Sequence, residues 1–203
     1  MEEREMQEKP LNEKESLELI TRMIQNTQQR LERGTGAPML IWGYATVIAS
    51  IFVFVVLTLT SDYRCNYFWF MIPVTGVTGM LLRKKQPKGV RTYIDKVIGY
   101  IWLVLGVTGS ILSVISIFSF MGNFPILFII IVIMGIGFVL TGLVTEFKPM
   151  FVGGIIGLVI SIPHQLVPTY DIKIITFILA FIIMSIIPGH ILNYRAKKAC
   201  LKN

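Results

Sequence analysis

The chain has 203 residues, of which 54% are hydrophobic, with a mean hydropathy of +0.68 and a formal charge of +7. Apolar content this high excludes an ordinary soluble domain and points to a protein built for lipid. The positive charge is no nucleic-acid signature, because it flanks apolar stretches and no recognition motif accompanies it.

The start, Met1-Glu2-Glu3-Arg4-Glu5, is acidic, and residues 1–38 are polar, whereas a signal peptide has a short basic lead before its apolar region. No cleavable leader is therefore expected, and residues 1–9 read as disordered. A soluble helix is expected over 13–33. Asn12 and Glu15 have capping-box spacing, and Gly34-Thr35-Gly36 reads as a stop. Leu17, Ile20, Ile24 and Leu31 form an apolar stripe, with Thr27 in the remaining slot and Met23 widening it. Glu18, Arg22, Gln25, Gln29 and Glu32 occupy the opposite face. A stripe of this kind needs a surface to cover, so these four apolar residues are candidates for partner docking.

Six hydrophobic spans follow, at 39–60, 66–82, 97–118, 124–144, 150–167 and 172–192. Crossing a bilayer core of ~30 Å takes ~20 apolar residues of helix. The predicted fold class is all-α, an integral membrane bundle of six transmembrane helices with an N-terminal amphipathic helix and a basic tail over 193–203. Trp42, Tyr44, Tyr93 and Tyr100 fall where one interfacial belt would lie, and Tyr63, Tyr67, Trp69 and Tyr170 where the other would. Of 19 Lys and Arg residues, all but Arg64 and Lys173 lie on the side that holds both termini. Basic residues stay cytoplasmic, so both ends are expected inside the cell. Cys65 and Cys200 then sit on opposite sides and form no intrachain disulfide.

Small residues mark where helices would touch. The tetrapeptide Gly-Val-Thr-Gly occurs at 76–79 and again at 106–109, and Gly153 with Gly157 forms a GxxxG. Gly76, Gly79, Gly106, Gly109, Gly153 and Gly157 are therefore candidate packing positions, with Pro73 and Gly76 a candidate hinge. Ser110, Ser113 and Ser116 read as contacts between helices more readily than as a polar path. Thr78-Gly79 and Thr141-Gly142 close spans two and four, each followed by a lysine (Lys85, Lys148) and a proline (Pro87, Pro149). That pattern predicts a repeated two-helix hairpin; a three-plus-three division, pairing span two with span five, competes with it.

No Asp, Glu, Lys or Arg falls well inside a span, which argues against a proton-driven pump. His164 and His190 lie near opposite faces and read as interfacial side chains. No HExxH, GxSxG, P-loop or paired-Cys motif occurs. No catalytic residue, metal site or cofactor is therefore expected. Arg83, Lys84, Lys85, Lys88 and Arg91 make a basic loop suited to topology anchoring and to anionic lipid headgroups.

Glu15-Ser16-Leu17-Glu18-Leu19-Ile20 with Met23-Ile24, then Leu40-Ile41-Trp42-Gly43-Tyr44, Phe68-Trp69-Phe70-Met71-Ile72-Pro73 and Ile187-Pro188-Gly189-His190-Ile191-Leu192, taken in order, carry a resemblance. The chain resembles, over nearly its whole length, a family of small bacterial polytopic inner-membrane proteins with no assigned activity, cofactor or catalytic residue. The resemblance implies a bacterial inner-membrane location and leaves function open. On the residues themselves, the leading expectation is a non-enzymatic interaction or regulatory protein that docks a cytoplasmic partner or another copy through helix 13–33. The alternative is a small transporter or channel with its site at the Gly/Pro-interrupted spans two and five.

Overall fold

The computed structural model describes residues 13–60, 63–82, 93–118 and 124–200. The basic loop Arg83–Arg91, the cap residue Asn12 and the acidic start lie outside them. Among the described residues the chain forms helices joined by short connections.

Helix α1 spans Glu13–Thr60, 48 residues without a break, and runs through both Gly34-Thr35-Gly36 and Pro38. The stop expected at 34–36 is therefore not one. A glycine cap needs a left-handed residue, and no glycine among the described residues has positive φ. Gly36 instead lies inside the helix against α7, where a Cβ would make ordinary contact with Leu192 Cδ2 at 3.5 Å and the Asn193 amide nitrogen at 3.6 Å.

The second hydrophobic stretch departs from expectation. It forms a 3-10 helix over Tyr63–Phe70 and then the short α2, Met71–Leu82, rather than one α-helix over 66–82. Pro73 supplies the reason. Its missing N–H costs nothing in a first helical turn, but its ring would clash with the Trp69 carbonyl if the α-helix continued backward. The segment still runs back along α1. Phe68 makes an edge contact with Phe52, Gly76 packs on Trp42 and Gly79 on Ile41.

Helices α3 (Tyr93–Phe118), α4 (Ile126–Val144) and α5 (Lys148–Leu166) follow. The last hydrophobic stretch is α6 (Tyr170–Phe181), a π turn (Ile182–Ile186) and α7 (Ile187–Cys200), so residues 193–200 continue a helix instead of forming a free tail. Pro188 accounts for the π turn. A proline there would collide with the Met184 carbonyl, and widening the preceding turn relieves it, with the Ile187 N–H bonding to Ile182 O.

Five helical stretches are long and apolar enough to cross a membrane: Gly36–Thr60, Tyr93–Ser116, Ile126–Val144, Lys148–Leu166 and Tyr170–Arg195. The protein is thus an all-helical membrane bundle. The sixth expected span is the one broken by Pro73. α1 packs against α2 on one side and the last helix on the other; the last helix packs on α5, α5 on α4, and α4 on α3. None of the α3 stretch is buried inside the bundle.

The tightest hairpin joins α4 to α5. Phe147 N–H bonds to Gly142 O (3.0 Å) and Glu146 N–H to Leu143 O (3.3 Å), the two reciprocal bonds of a Schellman ending. Glu146 takes the left-handed position at φ 54°, where glycine would be unstrained. A Cβ on Gly142 would lie 2.5 Å from the Phe151 amide nitrogen, so the two helices pass backbone against backbone. The expected repeat of Thr78-Gly79 and Thr141-Gly142 is not one of contacts: Gly79 meets the preceding helix, and Gly142 the following one.

Candidate functional site

The contacts define two ends of the bundle. Gly36, Trp42, Gly79, Phe147 and Leu192 lie toward one, here called proximal, where α1 enters and α7 leaves. Thr60, Phe68, His164 and Thr176 lie toward the other, distal end. The guanidinium of Arg195 lies over the Phe147 ring, 5.3 Å from its centre, tying α7 to the α4–α5 turn at the proximal end.

Glycines from two neighbouring helices close on the π turn. From the α1 side, Gly43 faces it: a Cβ there would sit 2.6 Å from Ser185 Oγ. Ser185 is buried and its hydroxyl donates to the Met39 carbonyl, 2.9 Å away. Just beyond, Gly189 packs under Leu40, and the Tyr44 hydroxyl and His190 Nε2 share a hydrogen bond of 2.6 Å. From the α5 side, a Cβ on Gly153 would lie 2.9 Å from Ile183 O and 3.2 Å from Pro188 Cγ, while Gly157 leaves room for the Met184 thioether. Glycines on two helices therefore grip one irregular turn on a third. Close backbone approach of this kind is what holds helices together in lipid, where water expulsion contributes nothing.

At the distal end, His164 is buried (1% exposed) rather than interfacial, the environment expected for it. Thr176 turns its single hydroxyl proton toward the Ile172 and Lys173 carbonyls, 3.0 Å each. Its oxygen also lies 2.7 Å from His164 Nδ1, so the two side chains share a hydrogen bond. The two histidines belong to separate pairs at opposite ends.

The expected packing glycines divide. Gly76, Gly79, Gly153 and Gly157 meet a neighbouring helix, and Gly109 makes ordinary contact with Ile130 at 3.7 Å. Gly106 meets nothing within 4 Å, so its place in a repeated tetrapeptide does not carry a contact. Pro73 is exposed at the junction of the 3-10 helix and α2. Ser110 and Ser113 hydroxyls bond to the Gly106 and Gly109 carbonyls of their own helix (2.8 and 2.7 Å) rather than to another helix. Trp42 and Trp69 serve packing: Trp42 lies on Gly76, and Trp69 makes an edge contact with Phe177. Leu17 is exposed, and Ile20, Ile24 and Leu31 follow it on the same unbroken helix.

Gly43, Ser185 and Met184 were missed by sequence reasoning. Pro188-Gly189 was the available signal, since a proline deep in a span demands a local accommodation. Among the described residues, no group of three His, Cys, Asp or Glu side chains is placed to hold a metal ion. No protein-family model matches the chain, and comparison with curated proteins and with solved structures returns no match.

Proposed function

We propose that this chain crosses the bacterial inner membrane six times with both termini in the cytoplasm. There it acts as a non-enzymatic interaction or regulatory protein that docks a partner, or another copy, through helix 13–33. Three observations support the topology. Gly36 and Leu192 pack together, so the first span begins at the end where the last one finishes, which favours an even number of crossings. The 63–82 segment lies antiparallel to α1, and its hydrophobic part, 66–82, has about 28 Å of length in 3-10 and α turns, close to the ~30 Å of the hydrocarbon core. The distribution of Lys and Arg favours the proximal end as cytoplasmic. It also puts the loop Arg83, Lys84, Lys85, Lys88 and Arg91 at the anionic headgroups of that leaflet.

The observation that carries the docking role is the continuity of α1. Its stripe is an extension of a membrane span, so anything bound there is coupled mechanically to the helix that Gly43, Trp42 and Gly36 lock into the bundle. Deleting residues 2–33 is expected to abolish partner recovery or change oligomer size while membrane insertion persists. Unchanged recovery together with unchanged size would end the docking role.

A second reading, a small transporter or channel, draws on the irregular helices. The 3-10 helix before Pro73 and the π turn before Pro188 are the kind of local deviation found where helices bend in function. Purified protein in sealed vesicles would then move a solute faster than empty vesicles across a broad panel, and no movement would remove it.

A further inference from the structure

The occupant of the 13–33 stripe follows from its register on the unbroken helix. Leu17, Ile20, Ile24, Thr27 and Leu31 alternate spacings of three and four, which are the a and d positions of a heptad with Leu17, Ile24 and Leu31 at a. A strict a/d line is the narrow seam of a coiled coil, whereas a helix laid on a bundle or a lipid surface presents a broader apolar face. The flanking e positions are Lys14, Thr21 and Gln28 and the g positions Ser16, Met23 and Arg30, with Glu13 at the d position that opens the helix. Charges that choose a foreign partner sit at e and g, and identical charged flanks would repel in a pair of like chains. Here the flanks from Ser16 to Gln28 are uncharged, with Lys14 and Arg30 at the two ends, while Glu15, Glu18, Arg22, Glu32 and Arg33 occupy b, c and f. Met23, at g, widens the seam on one side, and Leu19, at c, is the apolar residue away from it.

The fold supplies the remaining geometry. α1 continues from Gly36 back to Glu13 without a break, so Leu17 lies about 28 Å of helix beyond Gly36. Two copies in one membrane are inserted the same way round. Their α1 helices are therefore parallel, and starting from the same membrane level brings a to a and d to d. A seam of five layers is short for a free peptide. Tethering to helices confined in the same membrane raises the effective concentration enough to offset that.

We infer that helix 13–33 pairs with the same helix of a second copy as a parallel, in-register coiled coil. The inference rests on the docking role proposed above and names its partner. Its test uses the full chain in native membranes, with Cys65→Ser and Cys200→Ser removing the natural thiols. Under mild oxidation, Ile20→Cys and Ile24→Cys are expected to give disulfide dimers about tenfold more than Arg22→Cys and Gln29→Cys at f, because only a and d bring like residues within bonding distance. A photo-crosslinker at Ile24 should give an adduct of twice the chain mass. Equal disulfide yield at all four positions would mean random collision and overturn the seam. An Ile24 adduct to a different polypeptide, with no dimer, would overturn self-pairing and leave the docking role standing. Inserted protein that gives no adduct by either chemistry would overturn both.

Discussion

Ser185, in the π turn of the last helix, donates a hydrogen bond to the carbonyl of Met39 on α1, 2.9 Å away and 146 residues distant in sequence. The bond fixes the height of the first span against the last, and Gly43 is what lets the two backbones come close enough to make it. Ser185→Ala is expected to cost about 0.5–1.5 kcal/mol, the range for a hydrogen bond between membrane helices. Gly43→Ala should cost about 1–3 kcal/mol by overpacking against the Ser185 side chain. Combining them should cost less than the sum, because removing the hydroxyl clears part of the space the new methyl needs. Unfolding by denaturing detergent titration measures the cycle; strict additivity would mean that the two residues do not meet.

Two glycines with the same local sequence logic should respond in opposite directions. Gly142→Ala places a methyl 2.5 Å from the Phe151 backbone nitrogen, where nothing flexible can move, and is expected to destabilise by more than about 2 kcal/mol. Gly106→Ala meets open space and should stabilise its helix by up to about 1 kcal/mol. Thermal unfolding in detergent reads both. A destabilised Gly106→Ala would mean that something unseen in the single chain packs there.

Glu146 holds a left-handed conformation at φ 54° in the α4–α5 turn. Glu146→Gly is expected to stabilise by about 1 kcal/mol, since glycine adopts that geometry without the clash of a Cβ with the following carbonyl. Glu146→Val should destabilise by more than that. The melting temperatures should order Gly, Glu, Val from high to low.

Thr176→Val removes the hydrogen-bond partner of the buried His164 Nδ1 and should cost about 1–3 kcal/mol, the penalty of a stranded polar group. Adding His164→Leu to it should recover part of the loss. A double variant as unstable as the sum of its parts would contradict the pairing.

Much of this architecture is legible in the sequence, and the exceptions share a cause. Spans one, three, four, five and six announce themselves because length and hydropathy alone decide membrane crossing. The 63–82 segment does not, because Pro73 acts on the helix behind it and its effect depends on the Trp69 carbonyl. Gly34 and Gly36 look like a stop because glycine is common just past helix ends, but glycine also takes helical φ, and α1 continues through both. Of the candidate residues, Gly153 and Gly157 carry contacts and Gly106 does not, since a motif fixes spacing but not the face a neighbour will occupy. The burial of His164 was hidden because the partner that satisfies it, Thr176, lies on another helix.

Parity of crossing is the claim on which the proposed topology stands. Alkaline phosphatase, which acquires its disulfides only outside the cytoplasm, tests it directly when fused after Lys88 in the basic loop. Six crossings predict an inactive Lys88 fusion beside an active one after Asp62, with the Asn203 fusion inactive as well. An active phosphatase at Lys88 would mean that the 63–82 segment turns back without crossing. The last helix would then end on the side opposite the start of α1, contrary to the contact of Gly36 with Leu192.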